Sequence, residues 1–220
     1  PSINFYESTS SSHRFKGPLI RTVRRKIFNL ADYIVTSGSA STKAVLETGI
    51  PREKIVELFN PVDVKYFAEN SYSHRVSSLA GHRFLFVGQL IDSLTIAGEG
   101  PLRNQILELI EELNLVDQVI MVGHKNQEDV AFLYANSDTL VMPSTNEVWG
   151  LVANEALATG NHVIVSDVSG VSEFIKNMQG VYICSVDVVS IALKMNQSRE
   201  NYTGPVREPE ILKYTPERFA

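Results

Sequence analysis

TLVMPSTNEVWGLVANEALATGNHVIV (139–165) reads as strand, turn, helix and strand. Thr139 to Met142 is a mostly apolar strand that stops at Pro143, a residue unable to donate to a strand ladder. Asn154 to Thr159 lies in a helix, and His162 to Val165 is a second mostly apolar strand. Runs without polar alternation fit strands buried on both faces. A helix between two of them predicts a parallel sheet covered on both sides.

The same alternation continues in both directions. Upstream, Phe84 to Val87 ends in Gly88, Leu94 to Ala97 in Gly98, and Val119 to Val122 in Gly123. Leu102, Ile106, Leu109, Ile110 and Leu113 fall on one helical face, and Val130, Leu133 and Tyr134 fit a second helix. Downstream come a helix over Val171 to Lys176, a strand over Gly180 to Ile183 and a helix over Val188 to Met195. Nearer the start, strands at Tyr33 to Thr36 and Ile55 to Phe59 flank a short helix, Thr42 to Glu47. Ser37 or Ser39 offers its N-cap and Gly49 its stop. Residues 64–80 are polar and serine-rich, with weak periodicity, and read as a linker. Ligands of parallel sheets bind beyond the carboxyl ends of the strands, which here carry Gly88, Gly98, Gly123, Ser144 and Asp167.

One join breaks the pattern. Only Gly88 to Ser93 separate Val87 from Leu94. Parallel neighbours need a crossover of a dozen residues or more, and Gln89-Leu90-Ile91-Asp92 lacks the turn chemistry of a hairpin. A helical segment missing between about Leu90 and Asp92 is the expectation.

The chain has 220 residues, 44% apolar and 20% charged, which excludes a disordered tail, a collagen-like repeat and a disulfide scaffold. The net charge of −5 argues against a nucleic-acid partner held by bulk charge. Cys184 is the single cysteine, read as a buried small hydrophobe in a reducing compartment. No apolar run reaches the ~18–20 residues of a membrane span, and no signal peptide is visible in a chain that opens at Pro1. A cytoplasmic location is expected. Charge is uneven: Arg14, Lys16, Arg21, Arg24, Arg25 and Lys26 stand between Ser10 and Leu30 with no acid among them. Ile20, Val23, Ile27 and Leu30 step at three and four residues, so this segment contains an amphipathic helix with a basic face. The face is either solvated or a peripheral contact for acidic lipid headgroups or an anionic substrate.

Several chemistries are missing. There is no G-x-x-x-x-G-K-[ST] loop, no H-E-x-x-H, no G-x-S-x-G and no Asp-x-Asp pair for a metal–diphosphate site. The five histidines have no metal-ligand spacing, so no metal site is expected. Gly98-Glu99-Gly100-Pro101 is half of a dinucleotide fingerprint, with Pro101 suited to a first helical turn. The chemistry centres on residues 143–160. Gly150 lets a ligand approach the backbone, and the N–H groups of Gly150, Leu151 and Val152 at a helix start suit a phosphate or diphosphate. Glu147 projects near that anion site, and Glu155 lies about 7 Å further along the axis. Together they can touch two parts of one elongated ligand. Taken as an isolated pair, they equally fit a helix-end charge and a solvated side chain.

Glu147-x7-Glu155 within PSTNEVWGLVANEALATG resembles the signature of family 4 glycosyltransferases, retaining enzymes of the GT-B fold. Other pieces resemble that family in order: Asn60-Pro61-Val62-Asp63, Phe86-Val87-Gly88-Gln89-Leu90, Ala97-Gly98-Glu99-Gly100-Pro101, Val122-Gly123-His124 and Tyr214-Thr215-Pro216-Glu217-Arg218-Phe219. The resemblance implies two Rossmann-like α/β domains facing a cleft. Residues 1–63 would be the end of the acceptor-side domain, 64–80 the linker and 81–220 the donor domain. It implies transfer of a sugar from a UDP- or GDP-sugar to a sugar, lipid-linked or other acceptor, with retained configuration and without a cofactor or metal. Glu147 would contact the transferred sugar and Glu155 the ribose. Gly123 and His124 would frame the base, with Glu99 nearby. Gly88 and Gln89 would meet the diphosphate, together with a lysine that would fall in the missing segment. His13 and Arg14 are acceptor-side candidates, or ordinary surface residues. A non-catalytic nucleotide-sugar binding module is the competing reading, and a GT-B sugar-nucleotide epimerase a distant third.

Overall fold

A computed structural model describes residues 1–8, 10, 17–58, 62–74, 83–87 and 94–215. It contains two parallel sheets. The first has three strands in chain order: β1 (Ile3–Tyr6), β2 (Tyr33–Ser37) and β3 (Ile55–Leu58). Helices α1 (Pro18–Asn29) and α2 (Gly38–Leu46) are its crossovers. Phe28 of α1 and Val45 of α2 bury together with Ile34 and Ile55, so both helices cover one face, as right-handed crossovers moving in one direction require.

The second sheet has six strands: β4 (Phe84–Val87), β5 (Leu94–Ala97), β6 (Val119–Gly123), β7 (Thr139–Met142), β8 (His162–Ser166) and β9 (Val181–Cys184). Their order, β6-β5-β4-β7-β8-β9, is the doubly wound Rossmann order 3-2-1-4-5-6. The winding reverses between β4 and β7, and the two faces separate accordingly. Leu85, Leu140, Val163 and Val165 pack beneath α5 (Gln127–Ala135) and α6 (Leu151–Ala158). Phe84, Leu94, Ile96, Val141 and Ile164 pack beneath α4 (Arg103–Glu112) and α8 (Val188–Asn201). The short α7 (Ser172–Ile175) joins β8 to β9.

Several expectations need correction. Residues 64–74 form a helix, α3 (Val64–His74), where a linker was expected. Its Val64 and Phe67 are buried in the core of the second sheet, and Phe67 stands edge-on to Tyr134 at 5.8 Å. Those few apolar positions suffice because they are spaced to face the same neighbours. The edge strand β1 had no counterpart in the sequence reading. On α4 only Ile106 and Ile110 are buried; Leu102, Leu109 and Leu113 lie on the exposed shoulder, and Pro101 precedes the helix rather than opening it. Helix α2 begins four residues before Thr42, and neither serine caps it: Ser37 holds the N-cap position without a side-chain cap bond. On α1, Val23, Ile27 and Leu30 point outward and Phe28 is the buried residue. The periodicity identified the helix, and only the packing against the sheet shows which side is inward.

β4 and β5 pair in parallel, Phe84 opposite Leu94, which removes the hairpin alternative. The six residues that join them lie outside the described residues, as does the expected missing segment. Cys184 is buried beneath α8 as expected, and burial pushes its thiol up to about 11.

Candidate functional site

The site begins where β7 ends. Met142 is the last strand residue, and the chain turns through Pro143 to Trp149 before entering α6. This turn is pinned to the loop after β8. Glu147 pairs with Ser169 as an isolated bridge, Gly170 donates its N–H to the Glu147 carbonyl at 3.1 Å, and Val171 donates to the Trp149 carbonyl at 3.0 Å. Gly170 is required there, because a Cβ would stand 1.8 Å from the Val148 carbonyl oxygen. Ser166 adds a further tie, donating from Oγ to the Ser144 carbonyl at 2.7 Å.

Gly150 is the N-cap of α6 and sits in the left-handed region at φ 100°. A side chain there would be strained, and its Cβ would stand 2.6 Å from Met142 Cε. The first intrahelical bond is donated by Ala153 to the Gly150 carbonyl. The N–H groups of Leu151 and Val152 therefore precede the helical ladder, at its positive end. A cleft of about 380 Å³ opens over them, lined by Glu147, Val148, Trp149, Gly150, Leu151 and Val152, with Ser144 and Met142. Glu7, just beyond β1, lines it from the first sheet. Glu147 Oε1 accepts the Trp149 N–H at 3.3 Å, so the carboxylate is folded against the mouth of its own helix.

Two other clefts match this one in size. One of about 490 Å³ lies on the far side of Trp149, between Gly38, Ser39, Glu57 and Leu58 of the first sheet's elements and Phe174 and Tyr214. The other, about 410 Å³, is formed by Arg21, Arg24, Glu47 and neighbours on α1 and α2. Neither includes Glu147 or the leading N–H groups of α6. Trp149 links the two sheets: its ring occupies the space that a Cβ on Gly38 would need.

Glu155 lies one turn into α6 and does not line the 380 Å³ cleft. Its Oε2 accepts a hydrogen bond from the Tyr134 hydroxyl at 2.9 Å. Burial raises the Glu155 carboxyl above the ordinary range, and the Tyr134 hydrogen bond lowers it in part. Tyr134 is fully buried, and burial first, then the Glu155 charge, raises its phenol well above its usual value. Sequence reasoning missed Tyr134 as a site residue because it fits the apolar face of α5. The available signal is that a buried tyrosine hydroxyl needs a partner.

Gly123 ends β6 at φ 71°, and the Glu99 carboxylate leans over it, 2.9 Å from where a Cβ would be. Glu99 also pairs with Arg103 at 3.3 Å on the surface. His124 is exposed beside them. The structure thus unites Glu147, Gly150, Leu151 and Val152 in one cleft, brings Glu155 behind it and groups Glu99 with Gly123 and His124 at the neighbouring strand ends. Gly88, Gln89, His13 and Arg14 lie outside the described residues. Among the described residues no group of three or more His, Cys, Asp or Glu could hold a metal ion, and no helix is long and apolar enough to cross a membrane.

Parallel sheets that meet around a cleft at strand carboxyl ends define a Rossmann-like α/β protein of the GT-B architecture. A glycosyltransferase from Rickettsia africae superposes with a TM-score of 0.74 over 98% of this chain and 63% of that one, at 17% identity. Anabaena HepE in complex with UDP superposes with a TM-score of 0.72 over 90% of this chain and 62% of that one, at 17% identity. Residues 93–209 match the family model for glycosyl transferases group 1, and the chain belongs to that family. An uncharacterized glycosyltransferase of Methanocaldococcus jannaschii is 37% identical over 100 residues, 45% of this chain and 26% of that protein. The N-acetyl-alpha-D-glucosaminyl L-malate synthase of Bacillus anthracis is 37% identical over 133 residues, 57% of this chain and 34% of that protein. The chain thus spans about a quarter to a third of the curated relatives.

Proposed function

We propose that this chain binds a nucleotide-sugar donor at the carboxyl edge of its six-stranded sheet and supports transfer of the sugar to an acceptor with retained anomeric configuration. The observation that carries the reading is the 380 Å³ cleft that joins Glu147 to the leading N–H groups of α6. Its family membership and the UDP bound to the similar Anabaena fold support a nucleotide-sugar as the ligand. A diphosphate fits the positive helix end. A carboxylate beside it is compatible only if it faces the sugar, where it accepts hydrogen bonds from hydroxyls.

In this reading Leu151 and Val152 donate to the diphosphate and stabilise the charge that grows as the anomeric bond breaks, without a metal. Glu147 orients the sugar. Glu155 is held in one rotamer by Tyr134, so its remaining oxygen is preorganised to accept from ribose hydroxyls. Gly123 and His124 border the base. The pinning of residues 147–149 to 169–171 keeps the cleft from rearranging when empty.

Glu155→Ala removes a charged acceptor, and hydrogen bonds to charged groups contribute roughly 1.5–3 kcal/mol. Titration calorimetry with UDP and GDP should show ~10–100-fold weaker binding of the preferred nucleotide. Unchanged affinity for both would reject the ribose assignment.

A further inference from the structure

Trp149 is the single tryptophan of the chain, and it stands where the two sheets meet. Its side chain is buried, at 3% exposure. The benzo ring of the indole packs on Gly38, the first residue of α2: a Cβ there would stand 2.5 Å from Trp149 Cζ3 and 3.0 Å from Cε3. The indole also meets the Phe174 ring at 5.7 Å, and Phe174 stands edge-on to Tyr214 at 4.9 Å. Next to this contact the sheets part around the cleft of about 490 Å³, with Glu57 and Leu58 on one side and Glu173 and Tyr214 on the other. The contact between the β2–α2 turn and the second sheet is therefore concentrated in the indole.

The main chain of the same residue belongs to the donor cleft. Its N–H donates to Glu147 Oε1 at 3.3 Å, and its carbonyl accepts from Val171 at 3.0 Å. The next residue is Gly150, the N-cap of α6. Trp149 thus carries the first sheet's contact on its side chain and, on its main chain, the bond that orders the Glu147 carboxylate. A packed interior transmits a displacement rather than absorbing it. A shift of the β2–α2 turn moves the indole, and with it the mouth of α6.

We propose that Trp149 is a positioning residue of the donor site: its indole carries the placement of the β2–α2 turn to the Glu147 carboxylate and to the leading N–H groups of α6. The grip on a nucleotide at the second sheet is thereby set in part by the first. The proposal rests on the donor-site reading.

The test is a double-mutant cycle on the full chain, read by calorimetry with UDP and GDP. Gly38→Ala places a methyl group against the indole, and Trp149→Phe removes the benzo ring that the methyl meets. Gly38 lies outside the donor cleft. Its φ of 77° strains an alanine equally in both backgrounds, so that cost cancels. Gly38→Ala should weaken the preferred nucleotide about threefold or more in the parent and less than about twofold in Trp149→Phe. Unchanged affinity in the parent background overturns the proposal, and so does an equal loss in both backgrounds. A second measurement needs no change at Gly38. Coupling between sites is reciprocal, so saturating nucleotide should slow amide exchange over β2 and the first turn of α2 in the parent and not in Trp149→Phe. Equal slowing in both, or none in either, overturns the proposal. A parent that binds neither UDP nor GDP overturns the donor-site reading and this proposal with it. A parent that binds nucleotide without dependence on Gly38 overturns this proposal alone.

Discussion

At the amino-terminal edge of the six-stranded sheet polar side chains bond one another, whereas at the carboxyl edge they face a cleft. Asp138, just before β7, takes Arg83 in a two-pronged pair, at 2.8 Å to Nη2 and 3.1 Å to Nε, and also accepts the Arg83 N–H at 2.7 Å. Beside it, His162 Nδ1 lies 3.0 Å from Ser198 Oγ, which lies 2.8 Å from Thr139 Oγ1. Burial raises the Asp138 carboxyl, but its hydrogen bonds and charge attraction with Arg83 outweigh burial and hold it below the ordinary range. Glu147 and the N–H groups of Leu151 and Val152 instead line open space at the other end of the same strands. Buried polar groups that bond one another belong to the fold. Polar groups ordered by a rigid turn yet facing a cleft are, in the proposed function, kept for a ligand.

The sharpest way to break this contrast is at the closed edge. Asp138→Asn should destabilise the protein by roughly 1–3 kcal/mol at pH 7, since it leaves the half-buried Arg83 guanidinium with a neutral partner. Urea denaturation measures this. The stability from a depressed carboxyl is present at neutral pH and lost as pH falls through the folded value, so the variant and parent should converge in acid. Nucleotide affinity per folded molecule should be unchanged; a large drop would mean that the two edges are not separate.

At the open edge Glu155→Gln should have the opposite sign. The folded protein holds the Glu155 proton more tightly than the unfolded chain does, so that stability is present at low pH and lost as pH rises through the folded value. A neutral amide avoids the loss and still accepts from Tyr134. The variant should gain about 0.5–2 kcal/mol at pH 7.5 and much less at pH 4.5, by urea denaturation at both, while binding nucleotide more weakly. A loss of stability at pH 7.5 would contradict the reading that this carboxylate is kept for a ligand.

A smaller effect separates Tyr134 from the fold. Tyr134→Phe removes one hydroxyl from a packed ring, and a hydrogen bond of this kind contributes about 0.5–1.5 kcal/mol. Nucleotide affinity should fall about 2–10-fold in calorimetry. In a Glu155→Gln background the same change should do less, since the charge that the hydroxyl orients is gone. Equal effects in both backgrounds would make Tyr134 a packing residue only.

The strands of the second sheet and the turn into α6 were legible because both rest on local rules: apolar runs for doubly buried strands, and a glycine where a left-handed residue opens a helix. The remainder depends on tertiary context. Ile3–Tyr6 is a four-residue edge strand with half-exposed alternation, too short for periodicity to identify. The inward face of α1 could not be chosen, because Phe28 and the Val23 stripe are both apolar and only the sheet decides between them. Helix α3 was hidden by its serines and asparagine, although Val64 and Phe67 anchor it. The Tyr134–Glu155 bond joins residues 21 apart on different helices, which no local spacing encodes.

In the proposed function Glu147 addresses the sugar and the amino-terminal end of α6 addresses the diphosphate. The direct measurement is the affinity of the parent and of Glu147→Gln for a nucleoside diphosphate and for the matching nucleotide-sugar, by calorimetry. Glu147→Gln keeps the shape and removes the charge. The account predicts diphosphate affinity within about twofold of the parent and nucleotide-sugar affinity reduced by about tenfold or more. Equal losses for both ligands, or no loss for either, would contradict it.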